Sequence, residues 1–326
     1  MTTIVSAGVI GLGSIGKRHI SNIKSIFPKC RLVAMSSSGA SDREHFPDVD
    51  VWVNQTKQFL LYSPDFVIIA SPAPFHYLHS LPLIEAGIPI LIEKPLCTNY
   101  TDIQALAQII ETHRTPVAIG YCMRYSHCAQ KVKEWLTKGY LGNVRNVFSE
   151  AGQYLPDWRR DKDYKDSVSG KTHLGGGVIF ELSHELDFIG WFVGDLKLQY
   201  VVKRHSGELE IDGNLEDLAD ILLTAGKTVV NIHLDFLQHP FHRFVRIVGQ
   251  NGIIEWDIIS SKTWIRTYKF KEEFSDDNDK VSMYQEMLID FIRLCRGQTN
   301  NCVSLAEGAK AAVLAIDAKN NFTLLK

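Results

Sequence analysis

No run in the 326-residue chain approaches the roughly 18 consecutive apolar residues of a membrane-spanning helix. Charge of either sign is not in excess. Against 37 Asp and Glu stand 35 Lys and Arg, a formal net charge of -2 that argues for neither nucleic acid nor an anionic membrane as partner. The six cysteines, Cys30, Cys97, Cys122, Cys128, Cys295 and Cys302, form no C-x-x-C pair and no His/Cys zinc spacing. Reduced, mostly buried thiols in a cytoplasmic protein are expected. The N-terminus, MTTIVSAGVIGLG, has no basic segment before its apolar run and reads as a strand, not a signal peptide. Internal repeats and low-complexity tracts are missing too. What remains is an ordinary globular composition, 45% hydrophobic and 22% charged, at a length that favours two domains.

Through about residue 120, short apolar runs alternate with amphipathic ones. AGVIGLG, RLVAM, DVWV, DFVIIAS, IPILIEKP and PVAIGY read as strands. Between them, SIGKRHISNIKSIF reads as a helix with Ile15, Ile20, Ile23 and Ile26 near one face, and NYTDIQALAQIIETHR as one capped by Asn99 or Thr101. Continuous apolar strands separated by helices predict a parallel sheet covered on both faces. After Arg124 the pattern turns to alternation, in VRNVFSEAGQYL, LQYVVKRHS, LADILLTAG, TVVNIHLDFLQ, HRFVRIVGQNGIIEWDI and TWIRTYKF, with GQNG as a hairpin turn. This predicts a mostly antiparallel sheet, a domain 1–122 followed by a domain 123–326, and two closing helices.

GLGSIG is G-x-G-x-x-G at Gly11, Gly13 and Gly16, between a first strand and a helix that opens at Ser14 and Ile15. In that setting the pattern predicts a dinucleotide site. Gly11 permits the tight turn, Gly13 the approach of a pyrophosphate, and Gly16 close helix packing, with the helix N-terminus facing the anion. The end of the second strand lacks the carboxylate that usually takes a ribose 2′-hydroxyl. Ser36, Ser37 and Ser38 stand there with Arg43 beyond, so the cofactor is NAD(P) with a lean to NADP; Asp42 is the alternative acid. Ser71, Pro72 and His76 follow the fourth strand at the edge where such sheets bind ligands.

Lys94 lies in EKPL after the fifth strand, beside Glu93 and Pro95 at the expected cofactor edge. Its amine suits a substrate hydroxyl and a developing alkoxide. The segment GGGVIFELSHELDF supplies His184, whose ordinary pKa of about 6.5 suits a proton exchanged with an alcohol. Glu181 and Asp187, three residues to either side, share its face if one helix carries all three, and either is placed to orient the ring. A metal is not expected, because H-E-x-x-D has Asp where H-E-x-x-H needs a second histidine. The loop YLPDWRRDKDYKDS offers Tyr154, Trp158, Arg159, Arg160, Asp163 and Tyr164 to a polar, ring-shaped substrate, and Arg124 is a further candidate.

Taken in order, GLGSIG, EKPL, AIGYCMRY and LGGGVIFELSHELDFIGWFVG resemble the glucose-fructose oxidoreductase / inositol dehydrogenase / rhizopine catabolism family over essentially the whole chain. The resemblance implies a doubly wound Rossmann domain plus an α+β domain with a large, mostly antiparallel open sheet. It implies NAD(P)-dependent oxidation or reduction of sugars, cyclitols or nucleotide-sugars. A cis Lys94–Pro95 bond and a homodimer or homotetramer formed through the C-terminal sheet are implied as well. The chain departs from the family in two places. Phe180 stands four residues before His184, where the family usually has an acid, and Cys122 stands where its G-x-N-x-R pattern has asparagine. The loop and the ELSHELD variant resemble a subgroup associated with surface-polysaccharide and nonulosonic-acid sugars. Two rival functions stay open: a glycosidase that retains its NAD, and a non-catalytic dinucleotide sensor.

Overall fold

The structure, a computed structural model, describes residues 4–37, 45–159 and 163–321 and the backbone of 323–324. Ser38, Asp42, Arg43 and Arg160 lie outside the described residues. The chain folds as two compact units, Met1–Cys122 with Tyr284–Ala309, and Met123–Met283 with Lys310–Lys326.

The first unit is built on β1 (Ser6–Ile10), β2 (Arg31–Met35), β3 (Val51–Trp52), β4 (Phe66–Ile69), β5 (Ile90–Glu93) and β6 (Val117–Gly120). All pair in parallel, in the order β3-β2-β1-β4-β5-β6. Every residue of β1, β4 and β5 is buried, as a parallel sheet covered by helices requires. The strand order reverses between β1 and β4, so the loops leaving their carboxyl ends part there, the usual ligand position in such sheets. The covering helices include α1 (Ser14–Ile26), α2 (His76–Glu85) and α3 (Tyr100–His113). Asn99 caps α3, accepting from the Asp102 amide at 2.9 Å. On α1 the buried stripe is Gly16, His19, Ile20, Asn22 and Ile23, while Ile15 and Ile26 stay partly exposed. A histidine and an asparagine thus hold places that apolar periodicity alone assigns to isoleucines.

The second unit contains α4 (His127–Thr137), β7 (Val144–Gly152), α5 (Val178–Glu181) and α6 (His184–Val193). Then follow β8 (Lys197–Arg204), β9 (Leu218–Ala225), β10 (Thr228–Asp235), β11 (His242–Gly249), β12 (Gly252–Asp257), β13 (Lys262–Thr267) and β14 (Lys271–Ser275). The chain closes with α7 (Asp279–Cys295), α8 (Leu305–Asn320) and β15 (Thr323–Leu324). The nine-stranded sheet runs β14-β13-β12-β11-β7-β10-β9-β8-β15 and is antiparallel except for β7–β10 and β8–β15. Burial alternates residue by residue along β9, so one face packs inward and the other is open. GQNG turns β11 into β12 as an antiparallel hairpin. The polar strand KEEFS, β14, carries no apolar alternation and was not expected.

The unit boundaries differ from a single break at residue 122. Residues 284–309 belong to the first unit because their apolar side chains pack there. Phe291 meets Phe66 edge-on at 5.7 Å between ring centroids, and Val303 bridges to Ile119. None of the six cysteines is in a disulfide, and burial pushes the Cys97 and Cys128 thiols up to about 12. Among the described residues no helix is long and apolar enough to cross a membrane.

Candidate functional site

Each glycine of GLGSIG answers a different constraint. Gly11 has φ +91°, and a Cβ on it would lie 2.4 Å from the Ala70 carbonyl and the Ser71 nitrogen. A Cβ on Gly16 would lie 1.9 Å from the Gly11 oxygen. Gly13 has ordinary dihedrals, φ -72° and ψ -169°, and a Cβ there meets nothing within 4 Å. The protein itself therefore demands glycine at 11 and 16 but not at 13. The open space at Gly13 faces a helix N-terminus that has no side-chain cap and no acid in its first turn. This arrangement fits a pyrophosphate held by the amides that begin α1, at Ser14, Ile15 and Gly16. At the end of β2, Ser36 is partly exposed and Ser37 exposed.

The loop after β4 is held by two histidines. Ser71 Oγ and His79 Nδ1 share a hydrogen bond at 2.9 Å, and burial pushes His79 down to about 4, so its ring is neutral near pH 7. His76 is fully buried rather than open to a ligand. Its Nε2 lies 2.8 Å from the Ser71 carbonyl and its Nδ1 3.0 Å from the Leu96 carbonyl. Burial lowers its pKa against the pull of these carbonyls and of Glu93. With one N–H in its neutral form the ring donates to one of these carbonyls, and it packs between the β4 loop and the turn after β5. In that turn the Lys94–Pro95 bond is cis, Pro95 is buried and Lys94 is partly exposed. Glu93 is 5% exposed, and its carboxylate is engaged within the protein by His19 and by the Lys94 amide.

In the second unit, the helix expected to carry Glu181, His184 and Asp187 together is broken. α5 ends at Glu181, Leu182 and Ser183 form a tight turn, and α6 starts at His184. The Ser183 and Glu185 amides bond three residues back, to Phe180 and Leu182, so the α-helical register is lost at this point. Glu181 consequently does not share a helix face with His184. Its Oε2 accepts from the Ser169 hydroxyl at 3.0 Å. Asp187 lies on α6 with His184 and takes both bonds of a fork from Arg124, Nε at 3.0 Å and Nη2 at 2.7 Å. The pair is nearly out of water, with the two side chains 10% and 1% exposed. His184 itself is 8% exposed at the first position of α6.

The three glycines before α5 are explained by the protein. Gly175 and Gly177 have φ +80° and +98°. A Cβ on Gly176 would strike the carbonyls of Val168, Ser169 and Lys171 within 2.9 Å, and one on Gly177 would strike Glu216. Glu216, 3% exposed, accepts from Lys319 Nζ at 2.7 and 2.8 Å and from the Ile179 amide at 3.2 Å, while Lys319 also donates to the Gly176 carbonyl. In the loop, the Tyr154 ring lies tilted against His239 at 4.2 Å and Trp158 meets Phe236 edge-on at 5.4 Å. The Tyr164 hydroxyl accepts from the Glu210 amide, and Arg159 is partly exposed. These aromatics brace the loop on neighbouring strands and turns.

Among the described residues one His/Asp group, His127, Asp276 and Asp279, brings potential ligand atoms within 4.8 Å of one another. Its oxygens already accept from the Ser126 hydroxyl and from the His127 and Asn278 amides, so the group works as a brace at the start of α4. Sequence reasoning missed His19, His79, Glu216 and Lys319. For His19 one signal exists, a histidine inside an apolar helical stripe. Glu216 and Lys319 are 103 residues apart and carry none.

A family model described as the oxidoreductase family with an NAD-binding Rossmann fold matches residues 5–121, and a GFO/IDH/MocA C-terminal domain model matches 129–255. Inositol 2-dehydrogenase of Rubrobacter xylanophilus is 24% identical over 281 residues, 83% of this chain and 77% of that protein. The 2,7-anhydro-N-acetylneuraminate hydratase of Mediterraneibacter gnavus is 22% identical over 303 residues, 88% and 78% of the two chains. The WlbA dehydrogenase from Bordetella pertussis, solved with NADH and UDP-GlcNAcA, superposes with a TM-score of 0.81 at 19% identity, covering 98% of this chain and 97% of that one.

The glycine geometry separates folding from binding. Gly16→Ala should lower the melting temperature or prevent soluble expression. Gly13→Val should melt like the native protein yet bind NADH at least about tenfold more weakly, a loss of about 1.4 kcal/mol. Thermal melts and nicotinamide fluorescence titration read the two effects, and unchanged NADH affinity in Gly13→Val would refute the assignment.

Proposed function

The chain belongs to the glucose-fructose oxidoreductase / inositol dehydrogenase / rhizopine catabolism family of oxidoreductases, and on that premise we propose its substrate class and the roles of its residues. The substrate is the hydroxyl or keto carbon of a sugar, cyclitol or nucleotide-sugar, in line with similar proteins named for inositol and with a neighbour solved with a UDP-sugar acid. The observation that carries the proposal is the uncapped α1 N-terminus with open space at Gly13, on the same sheet edge as the Lys94 turn.

The dinucleotide, when bound, supplies the hydride acceptor or donor. Gly11, Gly13 and the first amides of α1 bind its pyrophosphate, and Ser36 and Ser37 take the ribose side, with a lean to NADP because no carboxylate is present at 36 or 37 to repel a 2′-phosphate. Ser71 and Pro72 bound the site from the β4 loop. The Lys94 ammonium donates to the reacting oxygen and stabilises negative charge developing on it. His184 takes the hydroxyl proton in oxidation and returns it in reduction. Arg124 holds Asp187, and the pair orders the first turn of α6, from which the His184 ring projects. Tyr154, Trp158, Arg159 and Tyr164 bound the substrate side.

The open face of the nine-stranded sheet supports self-association. Tyr200, Leu222, Asn231, Phe148 and Arg246 stand in register across five strands. Tyr200, Leu222 and Phe148, with Val229 beside them, are 37–50% exposed, and the row lines a shallow depression of about 500 Å³. Apolar surface of this kind on a folded domain is usually covered by a partner. We assign it to a second copy of the chain.

A second function is favoured by the hydratase among the similar proteins. It is the NAD-retaining glycosidase-type chemistry weighed from the sequence, in which the dinucleotide would stay bound through the whole cycle. Product formation with no net change in reduced-nicotinamide absorbance would establish it in place of dehydrogenation.

Across a panel of inositols and UDP-N-acetylhexosamines, His184→Ala should lower kcat by about 10²–10⁴-fold. Lys94→Ala should lower it by about 10²–10³-fold, and both should leave dinucleotide binding intact. Native rates in both variants would sink the assignment. The NADP lean fails if the native protein shows a lower KM for NADH than for NADPH. For the sheet face, Phe148→Asp combined with Leu222→Asp should turn an oligomer into a monomer by sedimentation velocity; a native protein that is already monomeric would remove the proposed interface.

A further inference from the structure

His19 lies on the helix that begins at the dinucleotide loop and is completely buried. Its Nε2 meets Glu93 Oε1 at 2.7 Å. The other oxygen of the same carboxylate accepts from the backbone amide of Lys94 at 3.2 Å. A carboxylate this enclosed is costly unless its oxygens find donors, and these two bonds supply them. The neighbourhood is shaped around that group. A Cβ on Gly120, the β6 residue paired with Glu93, would lie 3.0 Å from the carboxyl carbon, so only glycine leaves the carboxylate its full room. Tyr284 meets the His19 ring edge-on at 6.0 Å, and the Arg18 guanidinium lies over the tyrosine ring at 4.6 Å. His19 Nδ1 has no hydrogen-bond partner among the described residues, so Glu93 is the polar contact that accounts for a histidine here.

We propose that His19 is a positioning residue for Lys94. By holding one oxygen of Glu93 it aims the other at the Lys94 amide, which fixes the backbone from which the lysine side chain leaves. His76 lies against the far side of the same turn, its Nδ1 3.0 Å from the Leu96 carbonyl, so the two histidines flank the four residues from Glu93 to Leu96. The contacts His19–Glu93–Lys94 also join the cofactor helix to the lysine, from the His19 side chain through the Glu93 carboxylate to the Lys94 backbone amide. They reach the carboxyl end of β5 directly from α1, although β4 separates β5 from β1 in the sheet. The proposal rests on the functional assignment of Lys94, but its primary test does not need turnover.

That test is hydrogen exchange at the Lys94 amide, resolved by NMR in the full-length protein. In His19→Ala the Lys94 amide should exchange at least about tenfold faster, while β1 and β4 amides keep their native rates. His19→Gln, whose side-chain nitrogen reaches the same position as Nε2, should restore slow exchange. With a substrate from the panel above, His19→Ala should lower kcat by about ten- to a hundredfold, with NAD⁺ affinity unchanged. Should His19→Ala fail to fold, His19→Phe fills the volume without a donor and is read the same way. Native exchange at Lys94 in the donor-free variant overturns the proposal. So does a uniform rise across the unit, which would mark a general packing role. If Lys94→Ala keeps full turnover, the functional assignment fails by itself, and the exchange result alone then decides whether His19 orders the turn.

Discussion

A parallel sheet buried on both faces leaves its strands' carboxyl ends as the places where polar groups can meet a ligand. The same burial removes water from the loops' inner sides. Each polar group on those inner sides must then find a protein partner or destabilise the fold. In the first unit this constraint organises everything near β1, β4 and β5. Ser71 turns to His79, the Ser71 and Leu96 carbonyls turn to His76, and Glu93 turns to His19 and the Lys94 amide. Three buried histidines meet most of the polar groups of two short loops. Their side chains are buried, and they hold the loops that carry the more exposed groups.

The second unit meets the same constraint with charge pairs. Arg124 and Asp187, Lys319 and Glu216, and Arg243 and Glu185 each bury a carboxylate that is at most 3% exposed. Breaking such a pair by removing one partner costs about 3–5 kcal/mol, because the survivor stays buried without compensation. All three converge on the segment 176–187. Glu216 and Lys319 secure its entry, Glu185 its buried side, and Asp187 the first turn after its break. The interruption at Leu182–Ser183 is tolerated because these contacts, rather than continuous helical hydrogen bonding, fix where His184 begins α6.

Much of this was legible in the sequence, and the part that was not has a common physical cause. Strand and helix periodicity reports burial, so β1, β4 and β5 and the alternating strands of the second sheet were readable, as was the G-x-G-x-x-G turn. The Lys94 turn and His184 stood out as polar residues next to structured segments. Partner choice was not readable. Nothing local distinguishes Glu93, spent on His19, from a carboxylate offered to a cofactor. Spacing alone placed Glu181 beside His184 by assuming an unbroken helix. β14 was missed because KEEFS is too polar to show a strand's alternation.

The glycines show how one residue type can carry opposite information. Gly176 and Gly177 look in sequence like a cradle for substrate, yet the space above each is filled by carbonyls of the preceding loop and by Glu216. Gly13 looks like one member of a motif, yet its backbone needs no glycine and its missing Cβ leaves space that no protein atom fills. A glycine enforced by its own fold says little about ligands, since selection for packing already explains it. A glycine that the fold does not require, at the uncapped start of a helix, is the stronger indication that something outside the chain takes up the room. By that criterion the dinucleotide loop identifies itself at Gly13, and the GGG segment marks a tightly packed turn that leads into α5 and, beyond it, His184.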